Sequence, residues 1–217
     1  MREHVIQTVL KEKVIAIARG IDVEACVKAA DALYAGGIRL MEVTFNLKDP
    51  SSYQNTADAI AAIRAKYEGR MLVGAGTVTT PELVEIAAAG GAQYIISPDT
   101  NLAVIRRTRE LGLVSMPGAL TPTEIMTAHN AGADFVKLFP TANLGIPYVK
   151  AISAPISHVK LLAVGGINED NVADYIKAGM AGAGIGGNLV NKKWIENNEF
   201  EKITETARKL VEAVQGC

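Results

Sequence analysis

Short apolar segments alternate eight times with helical patterns along this chain of 217 residues, and the alternation predicts an α/β fold, a (β/α)8 barrel. Glycine pairs mark the period, because Gly36-Gly37 and Gly90-Gly91 each end a helical pattern just before an apolar run. Two helix starts have a threonine cap followed by proline, at Thr80-Pro81 and Thr121-Pro122. We therefore expect a TIM barrel that forms a single domain over residues 1–217. A doubly wound open sheet is the alternative.

The expected strands are the apolar runs, which are rich in valine, isoleucine, leucine and alanine. They cover residues 14–19, 39–45, 71–77, 94–98, 113–117, 135–139, 161–165 and 182–186. The segments between them have helical periodicity and end in the glycine signals described above. They cover residues 22–35, 51–67, 80–89, 101–110, 122–131, 146–153, 169–178 and 199–214. No linker or low-complexity stretch divides the series.

Composition narrows the class of protein. The chain is 49% hydrophobic with a formal net charge of −1, and it contains no basic block, so nucleic acid is not an expected partner. No apolar run approaches the ~18 residues of a membrane span, and the first four residues do not resemble a signal peptide. Cys26 and Cys217 show neither a disulfide framework nor metal-ligand spacing. We expect a cytoplasmic protein without a bound metal.

Lys137 is the first candidate catalytic residue. It lies in the apolar run Phe135-Val136-Lys137-Leu138-Phe139, where an ammonium group is costly to desolvate. Only roughly 0.04% of free lysine is neutral at pH 7. An apolar pocket lowers the pKa of the amine, and the neutral form attacks carbonyl groups to give a Schiff base. The alternatives are a lysine that reaches solvent from a strand end and one half of a buried ion pair.

Inward positions of the expected barrel bring other polar side chains toward Lys137. Active sites of such barrels lie at the carboxyl ends of the strands, where Arg19, Glu42 and Thr77 are expected to point inward. The second and sixth strands lie opposite each other, so Glu42 and Lys137 are expected to face across the centre. Schiff-base chemistry needs repeated proton transfer, which a carboxylate acting through water provides. Glu42 is therefore the candidate general acid/base.

Glycines cluster at the ends of the last two strands, at Gly165, Gly166, Gly186 and Gly187. The loops after strands 7 and 8 are the usual phosphate site of this fold, because bare backbone N–H groups can approach an anion there. Close packing of the last strand is the alternative explanation. The match of residues 182–187 to G-x-G-x-x-G is weak as a dinucleotide signal, since no βαβ unit follows it.

The motifs together resemble the 2-keto-3-deoxy-6-phosphogluconate (KDPG) aldolase family. These are class I aldolases, and the family includes 4-hydroxy-2-oxoglutarate (KHG) aldolases. Seven motifs occur in family order across nearly the whole chain. They are Glu42-Val43-Thr44, Gly74-Ala75-Gly76-Thr77-Val78, Ser97-Pro98, Met116-Pro117-Gly118, Lys137-Leu138-Phe139-Pro140, Gly165-Gly166-Ile167 and the glycines of the last strand.

The resemblance implies specific roles for these residues. Lys137 would form a Schiff base with pyruvate, and Glu42 would transfer protons. Arg19 and Thr77 would hold the keto-acid end of the substrate, and Phe139 would line the pocket. Pro98, Gly165, Gly166, Gly186, Gly187 and Asn188 are the other expected substrate-binding residues. Family members are typically homotrimers that need neither metal nor cofactor.

The resemblance also implies a reaction, cleavage of KDPG or KHG to pyruvate and an aldehyde. Three departures keep the substrate open. Asn46 and Val164 resemble the branch that cleaves the phosphogalactonate epimer, and Gly187-Asn188 replaces a position where serine is common. Asn188 offers a side-chain amide in place of that hydroxyl. Two other classes of function remain: a non-covalent sugar-phosphate isomerase or epimerase, and a catalytically inactive binding protein.

Overall fold

Nine parallel strands form one curved sheet in the computed structural model, which describes residues 1–217. They are β1 (Val14–Ala18), β2 (Leu40–Thr44), β3 (Leu72–Gly76), β4 (Tyr94–Ile96), β5 (Val114–Met116), β6 (Gly118–Ala119), β7 (Val136–Leu138), β8 (Leu161–Val164) and β9 (Gly182–Ile185). Their order in the sheet is β5-β4-β3-β2-β1-β9-β8-β7-β6. Except for β5 and β6, which stand at the two ends of this order, strands that are neighbours in the chain are neighbours in the sheet. β1 also pairs with β9, so the expected barrel is confirmed and the doubly wound alternative is excluded.

Ten α-helices accompany the strands of this barrel. They are α1 (Arg2–Glu12), α2 (Val23–Ala35), α3 (Tyr53–Tyr67), α4 (Pro81–Ala89), α5 (Leu102–Glu110), α6 (Pro122–Asn130), α7 (Gly145–Ser153), α8 (Val172–Lys177), α9 (Lys192–Glu196) and α10 (Phe200–Gln215). Both predicted threonine caps are present, since Thr80 accepts from the Leu83 amide and Thr121 forms a complete capping box with Glu124. None of these helices combines the length and the apolar character needed to cross a membrane.

Proline divides the fifth strand of the barrel. The sequence predicted one strand over residues 113–117, whereas the structure has β5 and β6 on either side of Pro117. Proline has no N–H group for the ladder, which explains the interruption. β5 pairs with β4, while β6 pairs with β7 through Gly118 and Lys137. The Lys137 amide also donates to the Pro117 carbonyl at 2.8 Å. The two halves therefore close the ring, and Lys137 lies at the closing seam.

Helix α1 covers the amino-terminal end of the barrel and is absent from the helices that the sequence pattern predicted. Its buried face, Val5, Ile6 and Val9, joins an apolar cluster with interior residues such as Tyr94 and Phe135. Helix α9 was also not predicted, because five residues are too few to show helical periodicity. With one end of the barrel closed by α1, a ligand can approach the interior only from the carboxyl ends of the strands.

Candidate active site

Glu42 on β2 and Lys137 on β7 are the only charged residues among the 86 buried residues of the chain. Both line one internal cavity of about 10 Å³, and the remaining walls are apolar or glycine. They are Ile15, Ile17, Ile96, Leu162, Val164 and Gly184. A space of this size holds about one water molecule. The structure therefore brings together the two residues that the sequence analysis placed on opposite strands, with room for one water at the same cavity.

Gly76 of β3 makes room for the carboxyl group of Glu42. Glu42 is in register with Gly74, and Thr44 with Gly76. A Cβ atom at Gly76 would lie only 2.7 Å from Cδ of Glu42, so any side chain there would displace the carboxyl group. Oε2 of Glu42 is buried and has no hydrogen-bond partner. The second glycine of the Gly-Ala-Gly motif is thus explained by the close approach of Glu42, and the first, Gly74, lies against the ring of Tyr94.

Burial dominates the electrostatics of this pair. Desolvation raises the pKa of Glu42 to about 7, although the positive charges of Lys137 and Arg19 oppose the shift. Desolvation also lowers the pKa of Lys137; the charge of Glu42 opposes this shift and that of Arg19 adds to it. The Lys137 ammonium nitrogen lies 4.9 Å from the centre of the Phe139 ring. Both shifts favour the neutral forms that nucleophilic attack and proton donation require.

A cleft of about 550 Å³ opens above Lys137 at the carboxyl ends of β1, β7, β8 and β9. Its lining includes most of the predicted substrate-binding residues: Arg19, Phe139, Gly165, Gly166, Gly186, Gly187 and Asn188. Apart from Lys137 itself, the charged side chains that line it are those of Arg19 and Lys192, and both are cationic. Gly165 and Gly166 have φ of 93° and 76°, a backbone conformation that favours glycine. The cleft is therefore suited to an anion.

A second cleft of about 510 Å³ lies on the other side of Arg19, which lines both. Thr44, Asn46 and Thr77 line this second space. Thr77 has φ of 60°, an uncommon conformation for a residue other than glycine, of the kind that clusters at functional sites. Asn46 accepts a hydrogen bond from the Lys48 amide at 3.2 Å through its own side chain. Arg19 and Thr77 therefore both line the second cleft, and of these two residues only Arg19 also lines the first.

For three residues, the structure changes the predicted list of substrate-binding residues. The Asn188 side-chain nitrogen donates to the Ile167 carbonyl at 2.9 Å. This N–H group therefore links the loops after β8 and β9, whereas the sequence predicted that the amide would contact the substrate. Pro98 lies outside both clefts, and its carbonyl lies against Gly118. Lys192, at the start of α9, lines the first cleft and was missed because α9 was not predicted.

The arrangement of possible metal-binding side chains predicts that the activity of this protein does not depend on a metal ion. No three His, Cys, Asp or Glu side chains come together in a group that could hold a metal ion. An imine would also perform the task of polarising the carbonyl. We expect the catalytic rate to survive exhaustive dialysis against EDTA within about twofold. Loss of activity that only added zinc or magnesium restores would assign a different mechanism.

Comparison with known proteins places this barrel among enzymes. The profile of the family "KDPG and KHG aldolase" matches residues 5–206. The chain is 36% identical over 206 residues to 2-dehydro-3-deoxy-6-phosphogalactonate aldolase of Escherichia coli, covering 94% of this chain and 98% of that one. It is also 36% identical to 2-dehydro-3-deoxy-phosphogluconate aldolase of Treponema pallidum, covering 88% and 89%.

A solved structure gives the same result. KDPG aldolase from Legionella pneumophila, with pyruvate captured as a covalent carbinolamine, superposes with a TM-score of 0.84 at 31% identity over 94% of this chain and 97% of that one. The barrel is therefore a lyase of the aldolase class. The chain belongs to the KDPG and KHG aldolase family, as the motif series indicated. Aldol chemistry thus has support that the isomerase and binding-protein alternatives lack.

Proposed function

We propose that this protein reversibly cleaves KDPG to pyruvate and glyceraldehyde 3-phosphate through a Schiff base at Lys137. The observation that carries the proposal is the cleft above Lys137, which is lined by the cationic side chains of Arg19 and Lys192 and by no carboxylate. KDPG has an anionic group at each end, and its reacting carbonyl adjoins one of them. Cleavage of KHG to pyruvate and glyoxylate, and of the phosphogalactonate epimer of KDPG, are the other reactions that this site would support.

The chemistry uses both buried groups. The neutral Lys137 amine adds to the C2 carbonyl to form a carbinolamine, and loss of water gives an iminium ion. Glu42 supplies and removes the protons of these steps through the water that fits the cavity. It then takes the proton of the C4 hydroxyl while the C3–C4 bond breaks and the iminium accepts the electron pair. Protonation at C3 and hydrolysis release pyruvate.

The two clefts suggest how the ends of the substrate are recognised. Arg19 and Thr77 would hold the keto-acid end, since both line the second cleft and Arg19 extends into the first. The phosphate would lie at the backbone N–H groups of Gly165 and Gly166, where glycine leaves no side chain in the way. Lys192 would add a charge at this end.

Val164 affects how well the site can distinguish substrates that differ in configuration at C4. Its buried side chain lines both the cavity beside Lys137 and the cleft, and it offers no hydrogen bond to a substrate hydroxyl. We therefore propose weak discrimination between the gluconate and galactonate epimers. The test is kcat/KM for the two phosphorylated epimers and for KHG. A value for KHG above those of both phosphorylated acids would contradict the phosphate site.

Lys192 and its neighbour Lys193 provide a matched test of the same site. Both are exposed on α9, but only Lys192 lines the cleft. Lys192→Gln is expected to raise KM for KDPG about tenfold, the value of one hydrogen bond to a charged group. KM for KHG should stay unchanged, and Lys193→Gln should leave both values unchanged. Equal losses for the two substrates would show that Lys192 does not contact the phosphate.

The proposal includes the assembly and location that the family resemblance implies. We propose a homotrimer in the cytoplasm, with neither nucleic acid nor a membrane as a partner. Light scattering at micromolar concentration measures the assembly directly. A monomeric mass with full activity would remove the trimer from the proposal without affecting the chemistry at Lys137.

A further inference from the structure

Tyr94 is a buried polar residue to which the reaction assigns no role. It lies on β4, fully buried among the apolar residues that fill the barrel interior. Its hydroxyl is buried, and its O–H has no acceptor. Buried tyrosine hydroxyls usually find a partner, because an unpaired buried polar group costs free energy. Phenylalanine would fill the same space without this cost, so the hydroxyl requires an explanation.

The position of the ring provides one. The Tyr94 ring lies over Gly74 on the neighbouring strand, where a Cβ atom would come within 2.2 Å of the ring. The ring thus crosses β3 toward β2, and the backbone N–H groups of Met41 and Gly74 lie near the hydroxyl oxygen, where they oppose the rise of its pKa. Met41 immediately precedes Glu42, and Gly74 is the register partner of Glu42. The hydroxyl therefore lies on the inner surface of the barrel next to the candidate general acid/base.

Glu42 holds the second unpaired group. Its Oε2 atom is buried without a partner, and its carboxyl group lies against Gly76, two residues beyond Gly74 on the same strand. Burial first, and then the negative charge of Glu42, raise the pKa of the Tyr94 hydroxyl, which keeps it a protonated donor. A donor without an acceptor and an acceptor without a donor thus occupy adjacent positions over β3.

We propose that Tyr94 is a positioning residue whose hydroxyl donates a hydrogen bond to Oε2 of Glu42 when the carboxyl group is ionised. This bond fixes the carboxylate plane and leaves Oε1 free to exchange protons at the cavity beside Lys137. It also stabilises the ionised form, because O–H to O⁻ hydrogen bonds are stronger than neutral ones. The inference rests on the proposed acid/base role of Glu42, and it assigns Tyr94 no direct contact with substrate.

Tyr94→Phe removes only the oxygen atom and tests the proposal. We expect kcat for aldol cleavage to fall about tenfold while KM changes less than twofold. The acidic limb of the pH profile of kcat/KM should move to higher pH, because the carboxylate loses a donor that favours its ionised form. Rates are divided by the amount of Lys137 that pyruvate and borohydride trap, so that unfolded protein is not counted.

The control variant is Tyr67→Phe, which removes a hydroxyl that donates to Asp31 outside the barrel. It is expected to keep both kcat and the pH profile of the unmodified enzyme. An unchanged acidic limb in Tyr94→Phe would overturn the proposal and assign the ring a purely packing role.

A double-mutant cycle separates positioning from packing. In the Glu42→Gln background, Tyr94→Phe should cause no further loss of kcat, because the hydroxyl acts only through the carboxylate. An independent tenfold loss in that background would show that Tyr94 acts by another route and would overturn the inference. Failure of the unmodified enzyme to trap pyruvate would remove the Schiff-base proposal itself, which is a distinguishable outcome.

Discussion

Lys137→Ala is expected to abolish covalent trapping of pyruvate and to lower the rate of aldol cleavage on the order of 10⁴-fold or more, because no other side chain in the cavity can form an imine. Mass spectrometry after borohydride reduction measures the first effect. In the unmodified enzyme, a three-carbon adduct should appear on the peptide that contains Lys137, and the variant should show none.

The matched control is Lys160→Ala, at an exposed position just before β8. This variant should form the adduct at the normal rate. Trapping at any other lysine in the Lys137→Ala protein, with the cleavage rate retained, would contradict the assignment. An unmodified Lys137 in the active enzyme would remove the covalent mechanism and restore the isomerase or epimerase alternative.

Glu42→Gln is expected to lower kcat by about 10²–10⁴-fold, the usual contribution of a positioned proton-transfer group. KM for substrate should change little, since the carboxyl group lies below the cleft and contacts the reacting atoms through water in our proposal. Steady-state kinetics at pH 7 measure both values. Because glutamine preserves the shape of the side chain, the pocket stays filled and only the proton-transfer capacity is lost.

The stability of the same variant distinguishes a catalytic carboxyl group from a structural one. The folded-state pKa of Glu42 is raised from 4.5 to about 7, so the folded protein binds a proton that the unfolded chain releases between these values. The free energy of unfolding therefore falls as pH rises from about 4.5 to about 7. Above pH 7, the ionised Glu42 costs the folded protein roughly 3 kcal/mol of stability. Glutamine removes this cost.

We thus expect Glu42→Gln to be more stable than the unmodified protein at pH 8 and about equally stable at pH 4. Urea denaturation at the two pH values measures the difference. A large loss of stability at pH 8 with unchanged turnover per folded molecule would show that Glu42 and Lys137 form a structural pair.

Local signals in the sequence predicted the barrel and the two charged residues of its internal cavity, Glu42 and Lys137. Threonine caps such as Thr80 and Thr121, and the glycines that end helices, act over one turn, so a linear reading detects them. Lys137 within an apolar strand is likewise a local anomaly. Glu42 followed from strand number and inward alternation, which the barrel geometry fixes.

Tertiary structure decided what depends on contacts between distant segments. The seam at Pro117, the closure of one barrel end by α1 and the contribution of Lys192 to the cleft each join segments that no sequence period connects. The hydrogen bond from the Asn188 side-chain amide to the Ile167 carbonyl and the position of the Tyr94 ring over Gly74 arise in the same way. Residue type and periodicity determine which face of an element is buried, but only packing determines which side chains share a cavity. Burial and neighbouring charge then set their pKa values.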